Sequence, residues 1–142
     1  MKTIIKLSAA LLLVLSLNTG CKKYEDGPKI SLASKKSRLC GDWKIQNVTL
    51  NGTDVTAATQ AALGANYVVD IEKDGSYKIQ GAFADSGTWK LGEDKDDVYF
   101  QSSTPGALEV ANRILRLKKK ELWVRHTEFN GDQTIIKYEP AD

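Results

Sequence analysis

Apolar and polar residues alternate in short runs from Trp43 onward, and Gly, Asp, Asn and Lys separate the runs. In the segment 76 to 84, for example, Tyr77 and Ile79 alternate with Lys78. Alternation with a period of two is typical of β-strands that have one buried and one solvated face. The pattern predicts eight strands, near residues 42 to 51, 66 to 73, 76 to 84, 86 to 92, 97 to 103, 109 to 118, 121 to 129 and 133 to 139.

The connections between these strands are mostly short and contain turn residues. Asp74-Gly75 can adopt the positive φ angles of a tight turn, and residues 130 to 132 can form a three-residue loop. Short links join antiparallel neighbours, which favours an up-and-down meander. Closing the meander into a barrel removes its two unpaired edges. We therefore predict an all-β fold, an eight-stranded antiparallel up-and-down barrel over residues 39 to 142.

The longest connection, residues 52 to 65, joins the first two strands and is rich in alanine. Asp54 or Thr56 can cap a short helix there, and Gly64 can end it. We expect a helix or an ordered loop at this place, covering one mouth of the barrel.

The first 20 residues have the features of a secretory signal peptide. Lys2 and Lys6 precede an apolar run at residues 7 to 17, and small or polar residues follow it. The run of 11 residues is much shorter than the roughly 20 that a permanent membrane-spanning helix needs. We therefore interpret residues 1 to 20 as a signal peptide that is removed.

The residues before Cys21, Leu17-Asn18-Thr19-Gly20, resemble the lipobox of bacterial lipoproteins, although the leucine stands four positions before the cysteine rather than three. The resemblance implies that Cys21 is the lipid-attachment site and the first residue of the mature chain. Several acyl chains anchor a protein stably, whereas one chain does not. The alternative is an ordinary signal peptide that leaves Cys21 as a free thiol.

The charge of the mature chain is balanced overall but unevenly distributed. Without Lys2 and Lys6, 18 basic residues face 18 acidic ones, so a nucleic-acid role lacks an electrostatic basis. Residues 22 to 38 hold six Lys or Arg and two acidic residues, whereas residues 39 to 142 hold 12 and 16. We interpret residues 21 to 38 as a flexible basic tether, which is either a solvated linker or rests on anionic lipid headgroups.

The sequence offers little catalytic chemistry. Cys40 has no disulfide partner if Cys21 is lipidated, and a small buried thiol accounts for it better than a nucleophile paired with His126, the only histidine. The acidic run at residues 92 to 97 lacks the spacing of a calcium loop and is expected to be a solvated hairpin. We predict no enzyme activity, no metal and no cofactor.

Gly41-Asp42-Trp43, at the start of the first strand, resembles the Gly-x-Trp signature of lipocalins. This signature and the lipobox-like residues before Cys21 together make the chain similar to lipocalin-like lipoproteins of Gram-negative bacteria. The resemblance implies that Trp43 closes one end of the barrel and that Arg125 packs over it, although alternation leaves open which face of the seventh strand points inward. It also implies a lipid anchor in the outer membrane, on its periplasmic or cell-surface side.

A second string, Gly87-Thr88-Trp89, echoes the first. We interpret both as strand openings in which the glycine allows a tight turn and the tryptophan fills an end of the barrel. The surrounding residues do not repeat, so the echo indicates similar structural needs rather than a duplicated site.

A barrel of eight strands can be filled by side chains or can hold one small ligand. An apolar lining with a few hydroxyl groups suits a lipid, a sterol or an aromatic molecule. The candidate ligand-contacting residues, all aromatic and predicted to face inward, are Tyr67, Tyr77, Phe83, Trp89, Phe100 and Tyr138. One hypothesis is a tethered protein that binds a small hydrophobic ligand. The other is a non-enzymatic module with a filled barrel that docks on another protein of the cell envelope.

Overall fold

The computed structural model describes residues 34–142 of the chain, so the signal peptide, Cys21 and most of the tether lie outside the described residues. Two helices and nine strands make up this part of the chain. In chain order they are α1 (Lys35–Leu39), β1 (Gly41–Leu50), β2 (Thr53–Asp54), α2 (Thr56–Leu63), β3 (Val68–Ile71), β4 (Ser76–Gln80), β5 (Asp85–Leu91), β6 (Asp97–Ser102), β7 (Val110–Lys118), β8 (Glu121–Thr127) and β9 (Gln133–Pro140).

Eight of the strands form a closed barrel. From β3 to β9 each strand pairs antiparallel with the next, and β1 pairs with both β3 and β9. The ninth strand, β2, has two residues and folds back on the end of β1. This architecture confirms the predicted eight-stranded up-and-down barrel with a short helix between its first two strands.

The second helix lies in the barrel wall and not over a mouth. β1 pairs with β3 only from Gly41 to Trp43 and with β2 only at Thr49 and Leu50, so residues 44 to 48 lack a strand partner on this edge. The amide of Gln60 donates to the carbonyl of Ile45 at 3.1 Å, and the hydroxyl of Thr56 accepts from the Val48 N–H at 2.8 Å. The prediction that residues 52 to 65 cover a mouth is therefore wrong, because α2 satisfies part of this strand edge instead.

The end of α2 also determines where β4 ends. Gly64 ends the helix with a φ of 88°, and the carbonyl of Leu63 accepts from the Ala82 N–H at 2.8 Å. A Cβ at Gly81 would lie 2.7 Å from that carbonyl oxygen, so only glycine fits. The chain leaves the sheet after Gln80, whereas alternation predicted a strand that continues to residue 84.

The first helix closes one end of the barrel, which we call the closed end. Ser34 caps it by accepting from the Ser37 N–H at 3.0 Å, and the side chain of Leu39 is fully buried. The ammonium of Lys35 donates to the Lys95 carbonyl at 2.7 Å, on the turn between β5 and β6. Residues 35 to 38, which we assigned to the flexible tether, are therefore an ordered part of the barrel domain.

Trp43 and Trp89 are both buried near the closed end. Each indole N–H donates to a backbone carbonyl at 2.8 Å, that of Leu39 for Trp43 and that of Glu72 for Trp89. Gly41-Asp42-Trp43 begins a strand, as predicted. Gly87-Thr88-Trp89 does not, because β5 already begins at Asp85. Gly87 serves a different purpose, since a Cβ there would overlap the carbonyl of Gln101 on β6.

The fully buried core lies toward the closed end. Its largest fully buried side chains are those of Leu39, Val98, Ile114 and Leu117. Within residues 34 to 142, no helix is both long and apolar enough to span a membrane.

We expect Leu39→Ala to lower the free energy of unfolding by about 2–5 kcal/mol, because it removes a fully buried side chain that joins α1 to the barrel. Urea unfolding followed by tryptophan fluorescence measures the change. Leu108→Ala is the matched control, since that side chain is 76% exposed, and it should change the value by less than about 0.5 kcal/mol. Equal effects of the two variants would contradict a structural role for α1.

Candidate functional site

The barrel contains a cavity of about 420 Å³. Leu39 and Trp43 bound it at the closed end, and it reaches the exposed residues Leu108 and Glu128 at the other end, which we call the open end. The wall between them is mostly apolar and comes from every strand of the barrel. Its apolar members are Val69, Ile71, Ile79, Val98, Phe100, Val110, Leu122, Val124 and Ile136.

Four of the six predicted ligand-contacting residues line this cavity, namely Tyr67, Tyr77, Phe100 and Tyr138. Phe83 does not, because β4 ends at Gln80 and the ring lies 68% exposed in the following turn. Trp89 is buried but packs in the core near the closed end, where its indole bonds to the Glu72 carbonyl. The prediction that Phe83 and Trp89 contact a ligand in the barrel therefore fails.

Arg125 does not pack over Trp43. On β8 the residues that line the cavity are Leu122, Val124 and His126, so Arg125 faces outward. It pairs with Ile135 of β9, whereas Trp43 pairs with Pro140 near the other end of that strand. The expectation from the lipocalin resemblance is wrong on this point, since α1 covers Trp43 instead of an arginine.

Asp85 is a hydrogen-bonded carboxylate in the cavity wall. Its carboxylate accepts from the Tyr77 hydroxyl at 2.7 Å and from the Ser102 hydroxyl at 2.6 Å. These two hydrogen bonds lower the pKa of Asp85, Ser102 contributing most, and so favour the charged form. Burial, followed by the contact with Asp85, raises the pKa of Tyr77 to about 12. At neutral pH the wall therefore presents a carboxylate fixed by neutral hydroxyl groups.

Tyr67 and Tyr138 place two further hydroxyl groups at the cavity. Burial raises the pKa of both, and for Tyr138 the neighbouring Tyr67 adds to the shift. Both phenols therefore stay neutral at physiological pH. They can donate or accept a hydrogen bond without adding charge to the lining.

His126 lies toward the open end, between two hydrogen-bonding neighbours. Its Nδ1 is 3.1 Å from the Ala111 carbonyl, and its Nε2 is 3.4 Å from the Glu128 carboxylate. Cys40 lies at the closed end directly after α1, and burial raises the pKa of its thiol. A raised pKa reduces the reactive thiolate form. The conceivable pair of Cys40 and His126 is therefore not assembled.

The acidic run at residues 92 to 97 forms ion pairs that stabilise the closed end. Asp96 lies 3.1 Å from the ammonium of Lys35, and Asp97 lies 2.9 Å from the guanidinium of Arg113. Asp94 accepts from the Asp96 N–H within the turn. These carboxylates are occupied by cations and a backbone donor, and no group of three His, Cys, Asp or Glu in residues 34 to 142 could hold a metal ion.

The polar residues of the lining are absent from the candidate ligand-contacting residues, because alternation of apolar positions identifies only apolar and aromatic residues as inward. Strand parity could have identified it. Ser102 follows Phe100 by two residues, and Asn112 precedes Ile114 by two, so each shares the face of an inward apolar neighbour. The missed polar residues are Asp85, Ser102, Asn112, Glu128 and Thr134, and His126, for which a packed or surface position was the preferred interpretation, also lines the cavity.

The barrel has a counterpart among solved structures. No protein-family model matches the chain, and no curated protein matches it. The crystal structure of a lipocalin-like protein from Bacteroides uniformis ATCC 8492 superimposes with a TM-score of 0.51, covering 73% of this chain and 99% of that one. The sequence identity is 13%, so the likeness shows a shared lipocalin-like fold.

We expect Asp85→Asn to lower the free energy of unfolding by about 1–2 kcal/mol at pH 7, because the amide offers the Tyr77 and Ser102 hydroxyls one neutral acceptor in place of two charged ones. The folded-state pKa of Asp85 is lowered, so the carboxylate stabilises the fold above its unfolded pKa of 3.8. The difference from the wild type should shrink as the pH falls below that value.

Urea unfolding at a series of pH values measures this difference. Asp142→Asn is the control, because that side chain is 99% exposed and the substitution should have no effect at any pH. A difference for Asp85→Asn that is constant down to the acid limit would contradict the assigned ionisation.

Proposed function

We propose that the barrel binds one small, mainly apolar molecule and that lipid on Cys21 holds the protein at the outer membrane. The proposed role is binding and not catalysis. The observation that carries it is the cavity of about 420 Å³, which is within the roughly 300–1,000 Å³ typical of small-molecule pockets.

The shape and chemistry of the cavity support this proposal. Leu39 and Trp43 close its floor, so a guest can enter at the open end and lose contact with water on the other sides. Aliphatic and aromatic walls favour apolar surface, which gains about 25 cal/mol per Å² on leaving water. The neutral hydroxyl groups of Tyr67 and Tyr138 can orient a guest that carries a polar group.

The position of the proposed anchor is compatible with access to the cavity. The described part of the chain begins at Ser34, next to α1 at the closed end. A tether from Cys21 would therefore join the barrel at its closed end, opposite the cavity opening.

We expect the chain without residues 1 to 21 to bind Nile red, a neutral apolar dye, with a rise in fluorescence. Val124→Phe and Ile136→Phe each place a ring into the cavity from adjacent strands. Each should weaken binding at least about tenfold, equivalent to about 1.4 kcal/mol. Fluorescence titration measures the affinity, and thermal unfolding verifies that the variants remain folded.

Arg125→Phe is the matched control, because it adds a ring at the next position of β8 but on the outer face. It should bind the dye as the wild type does. Failure of the folded wild type to bind Nile red, or equal binding by all three variants, would contradict a ligand site inside the barrel.

A second candidate is an interaction module of the cell envelope. Large apolar side chains are exposed around the open end, including Phe83 at 68% and Phe129 at 105% of their reference areas. Exposed apolar surface of this kind can mark a protein contact. The dye experiment separates the two candidates, because a module that only docks on a partner has no reason to take up Nile red in its barrel.

We expect the full chain to be lipidated on Cys21 when it is produced in a Gram-negative bacterium. Cells grown with an alkyne analogue of palmitate should label the wild type and Cys40→Ser, but not Cys21→Ser. The comparison uses the only two cysteines of the chain, one as the proposed site and the other as its control. Labelling that survives in Cys21→Ser would contradict the proposed anchor.

A further inference from the structure

The segments that form the open end of the barrel are acidic. They are residues 50–56, 64–67, 81–85, 103–109 and 128–132, and none of them is Lys or Arg, although the ammonium of Lys90 reaches Glu109 from β5 at 2.8 Å. The acidic residues in these segments are Asp54, Asp85, Glu109, Glu128 and Asp132. The closed end, in contrast, carries α1 with Lys35, Lys36 and Arg38, and the basic run at residues 118 to 120.

The cavity lining is also acidic. Among its residues the carboxylates are Asp85 and Glu128, and none is Lys or Arg. Its other titratable groups are His126, which faces Glu128, and three tyrosines. A guest with a carboxylate or phosphate would find no cation in this wall and would be repelled by two carboxylates.

Asp85 is available to a guest in spite of its hydrogen bonds within the protein. A carboxylate has about four acceptor positions, of which the Tyr77 and Ser102 hydroxyls use two and the Ser86 N–H a third, so one remains. Within residues 34 to 142, Asp85 forms no ion pair. The ring of Tyr77 also meets Phe100 edge to face, at 5.1 Å between centroids, so aromatic surface lies close to the carboxylate.

We propose that the cavity selects amphiphiles with a positively charged amine head, whose ammonium binds Asp85 while the apolar part fills the space toward the floor. A cation would compensate a partly buried carboxylate that has no protein counter-charge. The nearby aromatic rings add a favourable environment for an ammonium group. Glu128 attracts the same head group at the entrance. This inference rests on the proposed binding function and specifies its ligand class.

The test uses three probes that share one alkyl chain, namely decylamine, decanol and decanoate, below their micelle concentrations. Isothermal titration calorimetry at neutral pH measures their affinity for the chain without residues 1 to 21, which contains the whole barrel. We expect decylamine to bind about tenfold or more tighter than decanol, the gain of one charge-assisted hydrogen bond. Decanoate should bind more weakly than decanol.

Two variants in the wall test where the head group binds. Asp85→Asn should reduce the preference for decylamine over decanol to within about threefold. Thr134→Lys leaves Asp85 and its hydrogen bonds in place but adds a cation to the lining, so it should weaken decylamine and strengthen decanoate. The second variant keeps the test decisive if Asp85→Asn does not fold.

The control variant is Glu109→Gln. Glu109 lies at the open end and pairs with Lys90 at 2.8 Å, but it does not line the cavity. Its substitution should leave the preference for decylamine unchanged. A preference lost in this variant would mean that the general field of the open end, and not the cavity wall, selects the ligand, which would overturn the assignment to Asp85.

The outcomes separate this inference from the binding function on which it rests. Equal binding of decylamine and decanol, or tighter binding of decanoate, would overturn the inference and leave the apolar binding site intact. Failure of all three probes, together with failure of Nile red, would overturn both. A decylamine preference that persists in both wall variants would overturn the role of Asp85.

Discussion

The hydrogen bond from the Trp43 indole to the Leu39 carbonyl joins the first helix to the barrel, and the site depends on that junction. An eight-stranded barrel is a tube, and it becomes a pocket only when one end is closed. The buried Leu39 side chain provides the floor. The basic helix is also held by the buried ammonium of Lys35, which bonds to the acidic turn between β5 and β6. Apolar packing and a buried ion pair therefore close this end together.

A second constraint follows from the unequal lengths of β1 and β3, which have 10 and four residues. Three register pairs join them, so the rest of that β1 edge needs other partners. The Gln60 side chain and the Thr56 hydroxyl satisfy part of it, which holds α2 in the wall. The open end is consequently bordered by turns and not by a helix. Access to the cavity therefore depends on the partners of β1, because α2 binds along its edge and leaves the open end uncovered.

The sequence predicted the strands well because alternation is a local signal, whereas positions that depend on distant contacts were missed. Phe83 continues the alternation of β4, but the Leu63 carbonyl binds Ala82 and ends the strand first. The five residues of α1 are too few to show a helical period. The face of Arg125 was ambiguous because both faces of its strand contain apolar residues. Four of the six candidate ligand-contacting residues line the cavity, since inward aromatics follow strand parity.

The polar wall is hard to explain as a requirement of folding. A filled barrel would be served by apolar side chains at positions 85 and 102, because a carboxylate in a cavity wall loses hydration. Here the Ser102 and Tyr77 hydroxyls donate to the Asp85 carboxylate and lower its pKa, and each hydroxyl is itself committed to the arrangement. The carboxylate forms no ion pair within residues 34 to 142, and it lines a space that the side chains leave unfilled. Apolar side chains could fill the barrel without this network, so the polar wall supports the proposal that the cavity binds a guest with a polar or charged group.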